Sequence, residues 1–301
     1  MSEILAPCGG ADSLTAAVNA GADAVYLGEE LFSARKNAAN FSYESLCEAV
    51  KLCHYSGVKV YVTLNTLVFD KEIPQLIKAV ESCAKAQTDG FIIQDLGVAA
   101  IARRMVPDMP LHASTQMTIN SLAGAIAAKK LGFSRIVLGR ELSFEQIKQI
   151  TEGCDIETEI FVHGALCVCV SGQCYMSAML GGRSGNRGLC AQPCRLPYKV
   201  GDSRSPVDIM SLKDLCTIEH IPDLIDAGIT SFKIEGRMKQ PSYVATVTAM
   251  YRKYTDLYLQ NGRNGFKVSR KDMEVLKQAY QRRGYCDGYY YRHNGKEMIS
   301  F

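Results

Sequence analysis

The sequence predicts an α/β fold, a (β/α)8 TIM-like barrel with a cysteine-rich insertion after strand 7 and a short C-terminal α+β appendix. Three observations lead to this prediction. Short β-branched apolar runs alternate eight times with longer segments of helical period, turns that contain glycine separate most of these units, and 301 residues suffice for one such barrel. A doubly wound open sheet is the alternative, but the number of units and the chain length favour the barrel.

Strands and helices are expected in alternation along the chain. The expected strands are residues 4–7, 24–28, 59–64, 90–95, 111–114, 135–140, 156–162 and 231–235. The first expected helix begins at Asp12 or Ser13 and stops at Gly21. The others are residues 42–56, 72–85, 96–105, 121–130, 143–150, 211–227 and 242–259. Ser211 and Asp214 have the spacing of a capping box, which predicts that the seventh helix begins there.

Residues 1–260 are expected to form the barrel, with residues 165–207 as the insertion. From residue 261 onward the chain becomes more polar, and we expect a helix over residues 267–280 and a hairpin over residues 284–291. Phe301 ends the sequence inside an apolar stretch. We therefore expect residues 261–301 to be the start of a C-terminal extension that is truncated here.

The composition is that of an ordinary globular protein, with 47% hydrophobic and 22% charged residues. The sequence has neither an apolar run of membrane-spanning length nor a basic segment followed by a cleavable apolar one, so we expect a cytoplasmic protein. In that reducing compartment its twelve cysteines stay available for metal. A net charge of +3 neither requires nor excludes a nucleic-acid partner.

Five of the twelve cysteines lie between Glu159 and Arg195. They are Cys167, Cys169, Cys174, Cys190 and Cys194. Six residues separate the 167/174 pair and three separate the 190/194 pair, a pattern typical of metal ligands on a flexible, glycine-rich segment. Cys169 is then the spare thiol. The alternative, a set of buried free thiols, explains the scattered cysteines elsewhere but not this cluster.

Polar side chains follow most of the expected strands, where barrel enzymes carry their active sites. As catalytic candidates we select His163, Glu235 and Asp95. As substrate-binding candidates we select Asn65, Arg140, Arg237, Arg183, Arg187 and Arg195, the last three as part of a cationic rim. Each has a structural alternative as a helix cap, an ion pair or a solvated surface charge. The sequence contains no H-E-x-x-H, G-x-S-x-G, Walker or dinucleotide-binding motif.

The cysteine segment and three other motifs carry a resemblance to a known family. The matching residues are 159–167, 171–174 and 190–195 in the cysteine segment, 5–7 together with 21–26, 211–215 and 232–239, and the similarity extends over essentially the whole chain. These residues resemble the signature of the peptidase U32 family, which is named for a collagenase-like protease. Its better-understood branches are iron–sulfur proteins that hydroxylate a tRNA wobble uridine, a ribosomal RNA cytidine or a ubiquinone precursor without oxygen.

The sequence is most similar to the tRNA branch, which makes 5-hydroxyuridine with prephenate as the apparent hydroxyl source. The resemblance implies that Cys167, Cys174, Cys190 and Cys194 hold a [4Fe–4S] cluster. It also implies a tRNA anticodon loop, a small carboxylate co-substrate and an electron donor as partners. Arg140 and Arg237 are the expected partners of that carboxylate.

Two alternatives remain open. One is a U32-type (collagenase-like) peptidase, in which His163 would activate Cys167 or Cys169. The other is an RNA-binding or accessory protein whose cysteines hold structural zinc.

Overall fold

A computed structural model describes residues 2–202, 205–292 and 295–300 of the chain, so Phe301 lies outside the described residues. The strands, in chain order, are β1 Glu3–Pro7, β2 Ala24–Leu27, β3 Lys59–Leu64, β4 Gly90–Ile93, β5 Leu111–Ala113, β6 Arg135–Val137, β7 Glu157–Ala165, β8 Asp214–Cys216, β9 Ser231–Ile234 and β10 Tyr285–Cys286. The helices are α1 Ala11–Asn19, α2 Tyr43–Tyr55, α3 Ile73–Lys85, α4 Leu96–Met105, α5 Leu122–Lys130, α6 Phe144–Gly153, α7 Met176–Gly181, α8 Ile221–Asp226, α9 Pro241–Asn261 and α10 Arg270–Ala279.

The barrel contains every strand in this set except β8 and β10. From β1 to β7 each strand pairs in parallel with the next, and β9 pairs in parallel with both β7 and β1, which closes the sheet. The helices that follow the strands pack outside the barrel, and their apolar faces form the main core with the outward side chains of the strands. The predicted TIM-like barrel is confirmed.

Charged side chains fill the inside of the barrel near the amino ends of the strands. The guanidinium of Arg135 is buried and contacts Glu3 at 2.6 Å, Glu157 at 2.8 Å and Glu159 at 3.2 Å. Glu159 also receives the ammonium group of Lys233 at 2.6 Å. Because each of these buried charges has partners of opposite sign, the network holds β1, β6, β7 and β9 in one register.

The helix predicted over residues 211–227 is wrong. Asp214–Cys216 is instead strand β8, antiparallel to β7, and a helix forms only from Ile221 to Asp226. β7 continues to Ala165, beyond its barrel neighbours, and its free upper edge pairs with β8. This long-range pairing overrides the local capping pattern, so Cys216 is a strand thiol rather than a helix thiol.

The hairpin predicted over residues 284–291 is also wrong. Tyr285–Cys286 is a single short strand, β10, which pairs in parallel with β8. Two tyrosines hold this region on the barrel: the Tyr285 hydroxyl donates to the carbonyl of Leu276 in α10, and the Tyr290 hydroxyl donates to that of Phe161 in β7. No helix in the described part of the chain has the length and apolar character needed to span a bilayer.

Candidate active site

The cysteine-rich segment, residues 165–207, crosses above the carboxyl ends of the barrel strands. The backbone amide of Ser171 donates to the carboxylate of Glu141, which follows β6, at 3.1 Å, and the Ser171 hydroxyl donates to the same carboxylate. The side-chain amide of Gln173 donates to the carbonyl of Gln116, which follows β5. The first part of the segment is therefore anchored above β5 and β6.

The second part of the segment reaches the opposite side of the barrel mouth. The backbone amide of Leu67, which follows β3, donates to the carbonyl of Asn186 at 3.3 Å. Gly188, at φ +79°, packs so closely on the loop after β2 that a Cβ there would lie 2.4 Å from the carbonyl oxygen of Ser33. Since both parts are anchored, the segment covers the mouth.

Contacts within the segment make Cys174 and Cys190 neighbours. Gly185 lies between them, because a Cβ on this glycine would be 3.6 Å from the Cys174 carbonyl oxygen and 3.6 Å from the Cys190 Cβ. The hydroxyl of Ser177 accepts a hydrogen bond from the backbone amide of Ala191 at 2.9 Å. This bond ties the helix after Cys174 to the turn that carries Cys190.

A hydrogen bond of Arg195 also brings the turn that carries Cys194 close to the chain at Cys167. The Arg195 guanidinium donates to the carbonyl of Leu166, the residue before Cys167. Burial raises the pKa of Cys194, Arg195 opposes the rise, and the three other predicted ligand thiols add to it. The four predicted ligands therefore lie in one part of the segment above the mouth.

The donor chemistry of these four residues fits an iron–sulfur cluster. All four are free thiols, and two accept backbone hydrogen bonds at sulfur. Met176 donates to the Cys174 Sγ at 3.3 Å, and Gln192 donates to the Cys190 Sγ at 3.4 Å. Hydrogen bonds of this kind stabilise thiolate ligands and tune the potential of a cluster.

Within the ranges that the structure describes, no three His, Cys, Asp or Glu side chains converge as a single metal ion would require. In a [4Fe–4S] cluster each cysteine binds a different iron, so the thiolates stand farther apart than four thiolates on one zinc. Cluster binding stays a prediction. The fifth thiol, Cys169, lies within hydrogen-bond reach of Cys174, and its pKa is raised by burial and then by the nearby thiol of Cys167.

Below the segment, three arginines are near enough to the carboxylate of Glu235 to interact with its charge. This residue follows β9, and its Oε1 lies 3.2 Å from the Nη2 of Arg35. Burial opposes the charge on Glu235, but Arg35, Arg140 and Arg237 outweigh it and lower the pKa of the carboxyl. Glu235 is therefore ionised at neutral pH, and three guanidiniums facing one carboxylate leave this wall of the mouth with excess positive charge.

Arg237 is the most deeply buried of these arginines. Its Nη1 donates to the hydroxyl of Ser33 at 2.7 Å and to that of Thr63 at 2.9 Å. Burial, and then repulsion by Arg35, lower the pKa of Arg237 to about 10. It remains charged at neutral pH, and the two hydroxyls fix its orientation.

Arg140 and Asn65, the other substrate-binding candidates near the strand ends, also lie at the mouth. The guanidinium of Arg140 stacks on the ring of Phe161, 4.4 Å from its centre, and donates to the carbonyl of Ala165 at 2.9 Å. The Oδ1 of Asn65 accepts a hydrogen bond from the backbone amide of Ala34 at 3.0 Å. Asn65 thus holds the loop that carries Arg35.

His163 lies outside the mouth. Its ring packs against Tyr243 and Tyr251 of α9 and Tyr285 of β10, with centroid distances of 5.2–6.1 Å. Burial lowers the pKa of His163 to about 3, and its Nε2 has no hydrogen-bond partner among the described residues. The ring is neutral and faces away from the cysteines, so the site that we describe does not use it.

Asp95 has the structural role that the sequence analysis offered as its alternative. Its carboxylate caps α4 by accepting hydrogen bonds from the amides of Gly97 at 2.7 Å and Val98 at 3.3 Å. The second oxygen accepts one from the amide of Val68 at 3.2 Å. Both oxygens are therefore committed to the backbone.

The predicted cationic rim is only partly present. Arg183 is exposed, and its Nε donates to the carbonyl of Leu189 at 3.1 Å. Arg187 pairs with Glu72 at 2.6 Å and stacks on Phe69, 4.5 Å from the ring centre. Arg195 points inward toward the cysteines, as described above.

Arg35 is the main residue at the mouth that sequence reasoning missed. It lies in an irregular loop after β2, several residues beyond the strand end, where no local pattern marks it. The length of that loop, from residue 28 to residue 42, was the available signal, because long loops at the carboxyl ends of barrel strands carry functional side chains.

The similar proteins include two that are named for RNA hydroxylation and one that is named a collagenase. A 23S rRNA 5-hydroxycytidine synthase of Escherichia coli is 42% identical over 263 residues, which are 86% of this chain and 40% of that protein. The tRNA hydroxylation protein P1 of Bacillus subtilis is 37% identical over 292 residues, or 93% of this chain and 69% of that protein. A collagenase of Porphyromonas gingivalis is 38% identical over 307 residues, or 96% and 73%.

The chain thus spans less than half of the first of these relatives and about 70% of the other two. Among solved structures, a U32 peptidase, Mk0906, superposes with a TM-score of 0.53 at 14% identity, over 78% of this chain and 93% of that one. This likeness concerns the fold alone. The model of peptidase family U32 matches residues 9–300. The chain therefore belongs to peptidase family U32, as its resemblance to the family signature predicted.

Proposed function

We propose that this chain is the catalytic part of an RNA-modifying enzyme that hydroxylates a pyrimidine base without oxygen. The observation that carries the proposal is the cysteine-rich segment closed over a mouth whose wall is lined by Arg35, Arg140 and Arg237 around Glu235. The names of the rRNA synthase and of the tRNA hydroxylation protein support the same reaction class. A cytoplasmic location follows from an RNA substrate and from thiols that must stay reduced.

The specific reaction that we propose is conversion of a tRNA wobble uridine to 5-hydroxyuridine, with prephenate as hydroxyl source. Prephenate carries two carboxylates, and guanidiniums are the side chains best suited to bind carboxylates in pairs. Three guanidiniums facing one carboxylate leave two positive charges for such a dianion. The layer below does not add to this excess, because Arg135 and Lys233 are paired with glutamates.

The residues that would hold the [4Fe–4S] cluster are Cys167, Cys174, Cys190 and Cys194. When bound, the cluster would supply one-electron chemistry close to the substrate. The hydroxyl transfer balances without outside electrons, because the co-substrate carbon that loses its hydroxyl group receives the proton and the electron pair that leave the pyrimidine carbon. An electron donor would act only by setting the oxidation state of the cluster. The segment would also exclude water from the mouth, since it is anchored on both sides of the barrel.

Glu235 is the residue that we propose to accept a proton. Its carboxylate is ionised, lies in the mouth, and is held in place by Arg35. A base in this position could take the proton that the hydroxyl group replaces on the pyrimidine ring. Arg140 and Arg237 would bind the co-substrate, because hydrogen bonds or stacking already fix their guanidiniums at the mouth.

The RNA would approach from above the cysteine segment. A base must leave its stack to reach a barrel mouth, and anticodon-loop bases do so readily. Tyr175 is 65% exposed on this face and could stack on a neighbouring base, while Arg183 could contact the phosphates.

The peptidase alternative is favoured by relatives that are named as proteases, among them the collagenase of Porphyromonas gingivalis. It needs a base beside Cys167 or Cys169, and His163 packs instead among three tyrosines. We therefore place it second. Release of peptides from denatured collagen by the purified chain, abolished in Cys167→Ala, would reverse this order.

The decisive experiment compares Cys174→Ala with Cys169→Ala, two changes in the same segment of which only the first removes a proposed ligand. After anaerobic purification, the first variant should lose iron, sulfide and the visible absorption of the cluster, and the second should keep them. In a strain that depends on the variant, nucleoside mass spectrometry of tRNA should show loss of 5-hydroxyuridine only for Cys174→Ala.

A colourless wild-type protein with one zinc per chain would refute the cluster and favour the accessory-protein alternative. Unchanged 5-hydroxyuridine in the Cys174→Ala strain would refute the hydroxylase.

A further inference from the structure

Asp214, at the start of β8, is a buried carboxylate whose partners in the described part of the chain are distant or poorly aligned. The residue is 1% exposed, and neither carboxylate oxygen accepts a hydrogen bond of good geometry from any described residue. The closest cation is Arg282, whose Nη1 is 3.8 Å from the Asp214 Oδ1 and is itself buried and unpartnered within the described chain. Buried polar groups are almost always satisfied, so an acceptor and a donor left open side by side indicate a place for a ligand.

Three cations and three phenols are near enough to this carboxylate to interact with it electrostatically. The cations are Arg282, Lys239 and Arg195, and the phenols are Tyr243, Tyr280 and Tyr285. Burial raises the pKa of Asp214, and the three cations and the backbone amide of Arg282 oppose the rise. The group therefore combines hydrogen-bond acceptors at its base with donors and aromatic faces at its sides.

One of these aromatic faces is covered by a lysine. The ammonium of Lys239 lies 2.7 Å from the centre of the Tyr280 ring. Both residues are half-buried, whereas Asp214 beneath them is buried. Because the lysine side chain is flexible, it can leave the ring, and a flat group could then stack on Tyr280 with its edge toward Asp214.

The site adjoins the mouth described above. Asp214 pairs in the sheet with Ala165, two residues before Cys167, and Arg195 follows Cys194. On the other side, the hydroxyl of Tyr243 donates to the carbonyl of Glu235 at 3.0 Å. A ligand bound between Asp214 and Tyr280 would thus lie beside both the cysteines and the proposed base.

We propose that Asp214, Arg282 and Tyr280 form a pocket that binds the hydrogen-bonding edge of an extruded pyrimidine base. This inference rests on the proposed function and extends it to the residues that select the substrate. A pyrimidine carries a hydrogen-bond donor next to an acceptor on this edge: the N3–H and O4 of uracil, or the N4–H and N3 of cytosine. The Asp214 carboxylate accepts from the donor, the Arg282 guanidinium donates to the acceptor, and Tyr280 stacks on the ring.

The test measures binding of short RNA stem–loops to the purified full chain by fluorescence anisotropy. Four probes differ at one loop position, which carries uridine, cytidine, N3-methyluridine or no base. N3-methylation removes the donor of uridine without removing its stacking face. With the wild-type chain we expect N3-methyluridine to bind about tenfold more weakly than uridine, which is the usual effect of losing a hydrogen bond to a charged acceptor. Whether uridine or cytidine binds more tightly then identifies the base.

Variants of the chain test whether Asp214 causes the difference in affinity between uridine and N3-methyluridine. In Asp214→Leu the difference between uridine and N3-methyluridine should disappear, while the probe without a base should bind as it does to the wild type. Tyr280→Leu should weaken all base-containing probes about tenfold, because stacking needs the aromatic ring. Glu274→Gln, an exposed carboxylate change on α10, is the matched control and should alter nothing.

A measurement on the free protein separates a binding role from a structural one. Because the buried Arg282 Nη1 lies 3.8 Å from Asp214, Asp214→Leu removes the nearest carboxylate from that cation and should lower the melting temperature, whereas Asp214→Asn keeps an oxygen there and should lower it less. A chain with Asp214→Leu that binds the probe without a base as the wild type does is folded, and it would overturn the pocket if it still discriminated against N3-methyluridine. If discrimination is lost as expected but hydroxylated nucleosides never form in cells, the proposed reaction fails and the base pocket stands.

Discussion

The Nη2 of Arg35 lies 3.2 Å from the Oε1 of Glu235, and this ion pair joins the loop after β2 to the end of β9, the two strands that flank β1 in the barrel. The two residues are 200 positions apart in the chain. The side chain of Glu235 is 13% exposed and that of Arg35 is 35% exposed, so the contact is only partly screened by solvent. Arg35 thus both neutralises the proposed base and contributes to the positive charge that would bind a carboxylate.

Replacing Arg35 by alanine should reduce RNA hydroxylation about tenfold to a hundredfold, the usual effect of losing one charge-assisted hydrogen bond in a binding site. Nucleoside mass spectrometry of tRNA from a strain that carries only the variant measures the effect. Lys36→Ala removes an exposed cation next in sequence and should have no effect. Equal loss in both variants would mean that the loop, rather than the guanidinium, matters.

Gly188 should be essential for closing the cysteine segment over the mouth. Alanine there would place a Cβ 2.4 Å from the Ser33 carbonyl oxygen at φ +79°, which should cost about 2–4 kcal/mol through strain and overlap. Gly182 in the same segment has φ +66° but no atom within 4 Å of its Cβ position, so Gly182→Ala should cost only about 1 kcal/mol. Denaturant unfolding and the iron content of both variants measure the difference. Similar losses in the two would show that the contact with Ser33 is unimportant.

The ion network inside the barrel should be a major contributor to stability. Arg135→Met leaves Glu159, which is fully buried, with Lys233 as its remaining ion-pair partner among the described residues, and should lower the free energy of unfolding by about 3–5 kcal/mol. Lys129→Met breaks an exposed pair with Asp155 and should change stability little. Urea unfolding followed by circular dichroism compares the two. If Arg135→Met lowers the free energy of unfolding only slightly, water must enter the barrel interior and solvate the carboxylates that have lost their partner.

The sequence could predict the barrel because each of its strands and helices is defined by a local pattern. Residues 59–64 and 96–105, for example, have the bounds that the pattern indicated. The insertion was also predictable, since its cysteine spacing and its place after β7 are both local features. The sequence could not distinguish a helix cap from a substrate-binding residue, because an aspartate such as Asp95 at the end of a strand can serve in either role.

The features that the sequence did not predict depend on contacts between residues that are distant in the chain. Asp214 matched a helix-capping pattern, yet its place in β8 is set by the free edge of β7. His163 borders the cysteine segment in sequence but points toward α9, because adjacent side chains on a strand face opposite sides and a bulge interrupts the register at this position. Neither the strand position of Asp214 nor the orientation of His163 is indicated by the sequence pattern within a few residues of it.

His163 should make the stability of the protein fall at acidic pH. Its pKa is about 3 in the folded chain and about 6.5 when unfolded, so the unfolded state binds more protons between these values. Folding stability is therefore complete above about pH 6.5, and this one group should remove roughly 1.4 kcal/mol for each pH unit below it. Protonation of carboxylates also contributes, but it is common to the wild type and to a His163→Phe variant.

The difference between the two proteins therefore isolates the histidine. His163→Phe keeps an aromatic ring among Tyr243, Tyr251 and Tyr285, and it removes the Nε2 that has no partner in the described chain. Relative to the wild type, its advantage in unfolding free energy should grow by roughly 1 kcal/mol between about pH 7 and pH 5.5, measured by urea titration at both values. RNA hydroxylation should persist in this variant, because phenylalanine keeps the aromatic packing on Tyr243 and Tyr285, two of the phenols near Asp214. A pH-independent difference would place a charged partner near His163, and loss of hydroxylation without loss of stability would restore it as a catalytic residue.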